Sequence, residues 1–89
     1  MNLDSCPKRK DEVIAQQASS AMLLLDMGDG SYYSLNDVGG RVWELCDGTH
    51  TVSQLVSTLA MEYDVPSQTL ESDILELLDS LREKSLIGE

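Results

Sequence analysis

The sequence predicts an α+β domain of winged-helix-like order, a three-stranded antiparallel sheet followed by three helices. Three observations carry this. Short strand-like segments separated by turn residues occupy the chain from Val13 to Leu35. Asn36 then turns strand directly into helix, because its side chain can accept from the amides of a first helical turn. Beyond it, apolar residues recur at helical spacing to the end of the chain.

Taken in order, residues 1–11 are polar, charged and broken by Pro7, and read as a flexible polar tail ahead of a domain spanning 12–89. Val13 to Ala18 is a strand candidate. Ala21 to Met27 is a stronger one, with Leu23, Leu24 and Leu25 in succession before the Gly28-Asp29-Gly30 turn. The third strand runs from Ser31 to Leu35, where Tyr32 and Tyr33 are good strand formers. Period-two alternation puts Tyr33 and Leu35 on the core face and Tyr32 and Ser34 on the other.

After Asn36, the residues Val38, Val42, Leu45 and Cys46 share one side of a helix that stops at Asp47-Gly48. Gly39-Gly40 inside it costs roughly 1 kcal/mol per glycine against Ala, which close packing of this helix on the sheet would explain, a hinge being the alternative. Thr51-Val52-Ser53-Gln54 has capping-box form, and Val52, Leu55, Val56, Leu59, Ala60 and Tyr63 make the stripe of a second helix. Asp64-Val65-Pro66 breaks it. Ser67 is positioned to cap a third helix with Leu70, Ile74, Leu77, Leu78 and Leu81 as its stripe, and Arg82 and Lys84 suit its negative end. Trp43, Val42, Leu45, Leu55, Leu59, Tyr33 and Leu35 are expected to share one core.

A chain of 89 residues, 42% hydrophobic, supports one core but is short for a large enclosed active-site cleft, so catalysis is disfavoured. Sixteen acidic against six basic residues give a net charge of -10, a field that repels nucleic-acid phosphates and anionic membranes and favours neutral or basic partners. With no apolar run of membrane-spanning length and no basic-then-apolar N-terminal order, the expected location is cytoplasmic.

Cys6 and Cys46 form no CxxC and have only His50 beside them, which argues against a structural zinc and a disulfide framework. No nucleotide-loop or HExxH motif occurs. His50 reads as a loop residue, and the pairs Glu71/Asp73 and Glu76/Asp79 read as the polar side of a helix rather than acid–base pairs. No catalytic residue, metal or cofactor is expected.

Asp79-Ser80-Leu81 is similar to the attachment motif of acyl carrier proteins, which would place a phosphopantetheine on Ser80. Here, however, the Ser sits late in a helix and strands precede the helical part. A winged-helix regulator is the other alternative. Duplex binding would need basic residues on a recognition helix, yet the helix from Ser67 carries Glu71, Asp73, Glu76 and Asp79 before its first base at Arg82.

The run Gly30-Ser31-Tyr32-Tyr33-Ser34-Leu35-Asn36, then Gly40 through Gly48, Thr51 to Leu55, Tyr63-Asp64-Val65, Asp73-Ile74 and Leu86-Ile87 resemble the PqqD family, the peptide chaperone also called the RiPP recognition element. The resemblance covers about residue 12 to the end. It implies a non-catalytic module that binds the leader segment of a ribosomally made precursor peptide and delivers it to a modifying enzyme such as a radical SAM enzyme, peptidase or cyclase. It implies further that the leader adds as a strand beside the third strand and lies against the third helix.

On this chain the resemblance assigns the peptide site to Ser31, Tyr32, Tyr33, Ser34 and Leu35 of the strand and to Asp73, Ile74, Leu77 and Leu81 of the helix. The Tyr32-Tyr33 pair brings the third strand closer to members serving lasso-peptide and other modified-peptide pathways than to those of pyrroloquinoline quinone biosynthesis. The composition adds that neither nucleic acid nor membrane is a partner.

Overall fold

The computed structural model describes residues 1–88. In chain order the elements are β1 (Lys8–Arg9), β2 (Val13–Ala18), β3 (Ala21–Asp26), β4 (Tyr32–Leu35), α1 (Asp37–Leu45), α2 (Val52–Tyr63), α3 (Ser67–Glu83) and β5 (Ile87–Gly88). The expected sheet is present as β2-β3-β4, antiparallel, with β4 at one edge and β2 at the other. Its inner face packs on α1 through Met22, Leu24 and Leu35. These residues join Val42, Trp43, Leu55, Leu59, Ile74 and Leu78 in one core.

The local logic of the helices follows the sequence at two of three starts. The Asn36 side-chain oxygen accepts from the Gly39 amide at 2.8 Å. Thr51 and Gln54 close both bonds of the capping box, at 3.1 and 2.8 Å. Ser67, however, is not a cap. The N-cap of α3 is Pro66, which makes no side-chain capping bond. Its extended ψ of 132° lets the Pro66 carbonyl accept the first helical bond, from Leu70, and leaves Ser67 one position inside the helix.

Gly40 meets the sheet closely. A Cβ there would lie 3.2 Å from the Met22 Cβ, so the missing side chain allows α1 to approach β3.

The largest departure concerns residues 1–11, expected as a tail outside the domain. β1 pairs antiparallel with β5, which the sequence pattern gave no sign of, in a second, two-stranded sheet. Ser5 and Pro7 are buried. The physical reason is that this segment is held by main-chain groups and charges, which leave no hydrophobic period. The carbonyls of Leu3 and Ser5 accept from the amides of Ser53 and Val52 at the start of α2. Arg9 donates to the carbonyls of Trp43 and Glu44 at the end of α1. Lys10 pairs with the buried Asp26 at 3.1 Å. Among the described residues no helix is long and apolar enough to cross a membrane.

Candidate functional site

The edge formed by β4 has a definite polarity, set by its register. β4 pairs with β3 through Met22·Leu35, Leu23·Ser34, Leu24·Tyr33 and Leu25·Tyr32. One step further along, the Asp26 amide donates to the Ser31 carbonyl at 2.8 Å. Hydrogen-bonded and non-hydrogen-bonded pairs alternate in an antiparallel ladder. The carbonyl of Ser31 and the main-chain groups of Tyr33 and Leu35 therefore face β3, whereas the amides and carbonyls of Tyr32 and Ser34 point to the open edge.

Side chains alternate too. Leu35 is buried and Tyr33 is partly buried against the core, while Tyr32 and Ser34 are exposed. The strand is anchored at its start by a tight turn. Asp29 accepts from both the amide and the hydroxyl of Ser31, and these bonds hold its carboxyl below the usual carboxylate range.

Where β4 runs into α1, a cleft of about 340 Å³ opens between α1 and α3. One wall is Asn36, Val38, Gly39 and Val42; the other is Val65 with Leu70, Asp73, Ile74 and Leu77. The α3 wall exists because that helix presents Leu70, Ile74 and Leu77 along one stripe, with Asp73 exposed at its rim. Gly39 keeps the other wall close to the strand, since a Cβ there would lie 3.1 Å from the Asn36 side-chain oxygen and 3.3 Å from the Leu35 Cβ.

At the opposite end of α3, the Lys84 ammonium sits 5.0 Å from the centre of the Tyr33 ring and ties β4 to the helix. Charge thus differs between the two ends, acidic at Asp73 on the cleft and basic at Lys84 beside Tyr33.

Of the helix residues assigned from the sequence, the structure gathers Asp73, Ile74 and Leu77 on this cleft. Ile74 serves both cleft and core, being 1% exposed. Leu81 is buried in the core and does not line the cleft. The α1 wall was not read from the sequence. Its one signal was the Gly39-Gly40 pair, whose implied close approach pointed to packing rather than to a surface.

The arrangement offers main-chain donors and acceptors beside an apolar trough, which suits an extended peptide. Among the described residues no cluster of His, Cys, Asp or Glu is gathered tightly enough to hold a metal. His50 bonds Asp47 at 3.0 Å in the turn before α2. Cys46 is buried where α1 ends, and burial pushes its thiol up to about 12.

Comparison with known proteins agrees with this architecture. The family described as coenzyme PQQ synthesis protein D (PqqD) matches residues 21–87. A relative named PqqA binding protein, from Xanthomonas campestris pv. campestris (strain 8004), is 30% identical over 84 residues, covering 94% of this chain and 91% of its own.

Among solved structures, TbiB1 in complex with the TbiA(beta) leader peptide superposes with a TM-score of 0.80 at 30% identity, over 91% of this chain and 94% of that one. The PqqD truncation of Methylobacterium extorquens PqqCD, a stand-alone RiPP recognition element, superposes with a TM-score of 0.79 at 28% identity, over 93% and 88%. With its sheet, its three helices and the sequence from Ala21 to Ile87 all in agreement, this chain belongs to the PqqD family.

Proposed function

We propose that this protein is a non-catalytic leader-peptide chaperone. It binds the leader of a ribosomally made precursor by strand addition to β4 and presents the core segment to a separate modifying enzyme in the cytoplasm. The observation that carries the reading is the outward direction of the Tyr32 and Ser34 main-chain groups beside the cleft. Relatives support it: one is named for binding PqqA, and the TbiB1 structure holds a leader peptide.

Backbone pairing at an edge contributes about 0.5–1.5 kcal/mol net per hydrogen bond and is indifferent to sequence. Selectivity then comes from side chains that enter the trough. An apolar leader side chain buried against Val38, Val42, Ile74 and Leu77 adds about 1.5–3 kcal/mol, and Asp73 favours a basic leader residue at the rim. Leu35 and Leu81 act from beneath, by fixing the strand and helix that form the groove. Holding the leader raises the local concentration of the core segment at the enzyme. The separate enzyme is of the radical SAM, peptidase or cyclase type, in a lasso-peptide, other modified-peptide or pyrroloquinoline quinone pathway.

The test uses the direction of the amides. Ser34→Pro removes a donor that faces the open edge and opposes pairing there, so calorimetry with leader peptides encoded near this gene should show affinity falling at least tenfold. Tyr32→Ala should have a smaller effect. Amide shifts on titrating the leader should gather on β4 and α3. Shifts gathered on α2, with β4 and α3 undisturbed, would sink the assignment.

A further inference from the structure

The Leu23-Leu24-Leu25 run is not explained by the peptide groove. Strand alternation sends Leu24 into the core and leaves Leu23 and Leu25 on the outer face of the sheet. Register brings more apolar residues to the same face. Ile14 and Tyr32 flank Leu25 on either side. Met27 follows in line beyond Leu25, its amide bonded to the carbonyl of Glu12.

Among the described residues seven large hydrophobic side chains are exposed, and five of them, Ile14, Leu23, Leu25, Met27 and Tyr32, share this face. Isolated exposed hydrophobics are ordinary on any protein, but a contiguous patch spanning three strands marks an interaction surface. No described element of the chain packs over it.

We propose that this outer sheet face is the docking surface for the enzyme that modifies the delivered peptide, received by an apolar patch with a basic rim on that enzyme; the proposal rests on the leader-binding reading above. Two observations choose this occupant. The first is continuity with the peptide site. Tyr32 lies on the outer face while its main-chain groups form the leader-binding edge, so a protein seated here stands beside the bound peptide. The groove against α3 is on the other side of the sheet, which leaves the outer face open in the loaded state.

The second observation is charge. Glu12 and Asp29 are exposed at the Met27 end of the patch; Lys10 beside them is paired with the buried Asp26, so this end stays net acidic, and the whole chain carries -10. Asp29 is held ionised by Ser31. A second copy would bring like charges together, whereas a basic rim is attracted and steered.

The experiment measures, with purified proteins, binding of this chain to each candidate maturation enzyme encoded beside its gene, in saturating leader peptide. Ile14→Thr/Leu25→Thr keeps strand-forming residues and removes apolar surface. It should weaken enzyme binding at least tenfold, leave leader affinity within twofold and leave the unfolding midpoint near wild type. Met61→Thr, at a still more exposed methionine on α2, away from the sheet, should change none of these. If the double variant fails to fold, Met27→Lys, outside the strands, reports on the same surface and should weaken enzyme binding.

Undiminished enzyme binding in the folded variants overturns the docking surface while leader binding stands. So does failure of the wild type to bind any of these enzymes. A concentration-dependent dimer that the double variant abolishes in sedimentation also overturns it, by assigning the face to a second copy. Absence of leader binding by the wild type overturns the underlying reading and this proposal with it.

Discussion

At the scale of single residues, two positions have consequences that can be measured. Asn36 ends β4 and caps α1 with one side chain, accepting from Gly39 at 2.8 Å. Asn36→Ala leaves that amide without its acceptor and should cost about 1 kcal/mol, within the roughly 0.5–2 kcal/mol range of N-cap losses. Denaturant unfolding followed by Trp43 fluorescence measures it, and an unchanged midpoint would show that the cap contributes nothing.

Cys46 is the second position. Its thiol is buried and pushed up to about 12 from 9.0 because the thiolate is desolvated. The folded state therefore holds this proton more tightly than the unfolded chain. The resulting stability is fully present below pH 9 and is lost as pH rises toward 12, with a slope approaching about 1.4 kcal/mol per pH unit. The stability difference between wild type and Cys46→Ala should narrow across that interval. Under native conditions at neutral pH, Cys46 should resist alkylation until the protein is unfolded. Rapid native modification of Cys46, mapped by mass spectrometry, would contradict its burial.

Among the elements, legibility in the sequence followed how each is held. β3, β4 and the α2 stripe are readable because burial of one face imposes a period, whereas β2, which buries no residue fully, shows only strand-forming composition between turns. Val52, Leu55, Val56 and Leu59 are all buried, as their spacing requires. Truncating Leu59 to Ala should accordingly cost about 2–5 kcal/mol; a loss within the roughly 0.5 kcal/mol typical of surface changes would put the helix in the wrong phase.

The α3 start departs from its sequence signal because Ser67 has the right chemistry one residue too late, where Pro66 already supplies the extended turn. The groove was half legible. Its α3 wall is part of an amphipathic stripe, so Asp73, Ile74 and Leu77 could be placed, but no pattern separates Leu81 in the core from Leu77 at the cleft. The α1 wall arises where α1, held close to the end of β4 at Gly39, faces α3 across the cleft, a tertiary fact that the sequence expresses only as a missing side chain.

For the molecule as a whole, the segment before β2 acts as a clasp that the sequence concealed. The last carbonyls of α1 and the first amides of α2 lie beyond the regular bonding of their own helices, although the Trp43 carbonyl also accepts from the Cys46 amide. Arg9 covers the former, at 2.9 and 2.6 Å from the Trp43 and Glu44 carbonyls. Main-chain carbonyls of Leu3 and Ser5 cover the latter, at 3.1 and 2.9 Å from the Ser53 and Val52 amides. Lys10 neutralises Asp26, which is 2% exposed and otherwise accepts from the Gly28 amide.

None of these partners lies on the open edge of β4 or in the cleft between α1 and α3. Deleting residues 1–10 should therefore separate stability from recognition. The deleted form loses both helix-end partners, the β1–β5 pairing and the counter-ion of a buried carboxylate, and its Tm should fall by about 4–8 °C for each kcal/mol lost. At a temperature where it remains folded, its leader affinity should stay within a few-fold of the full chain. An unchanged Tm would mean that the segment adds nothing to the fold, and a folded but non-binding deletion would place part of the recognition surface in the clasp.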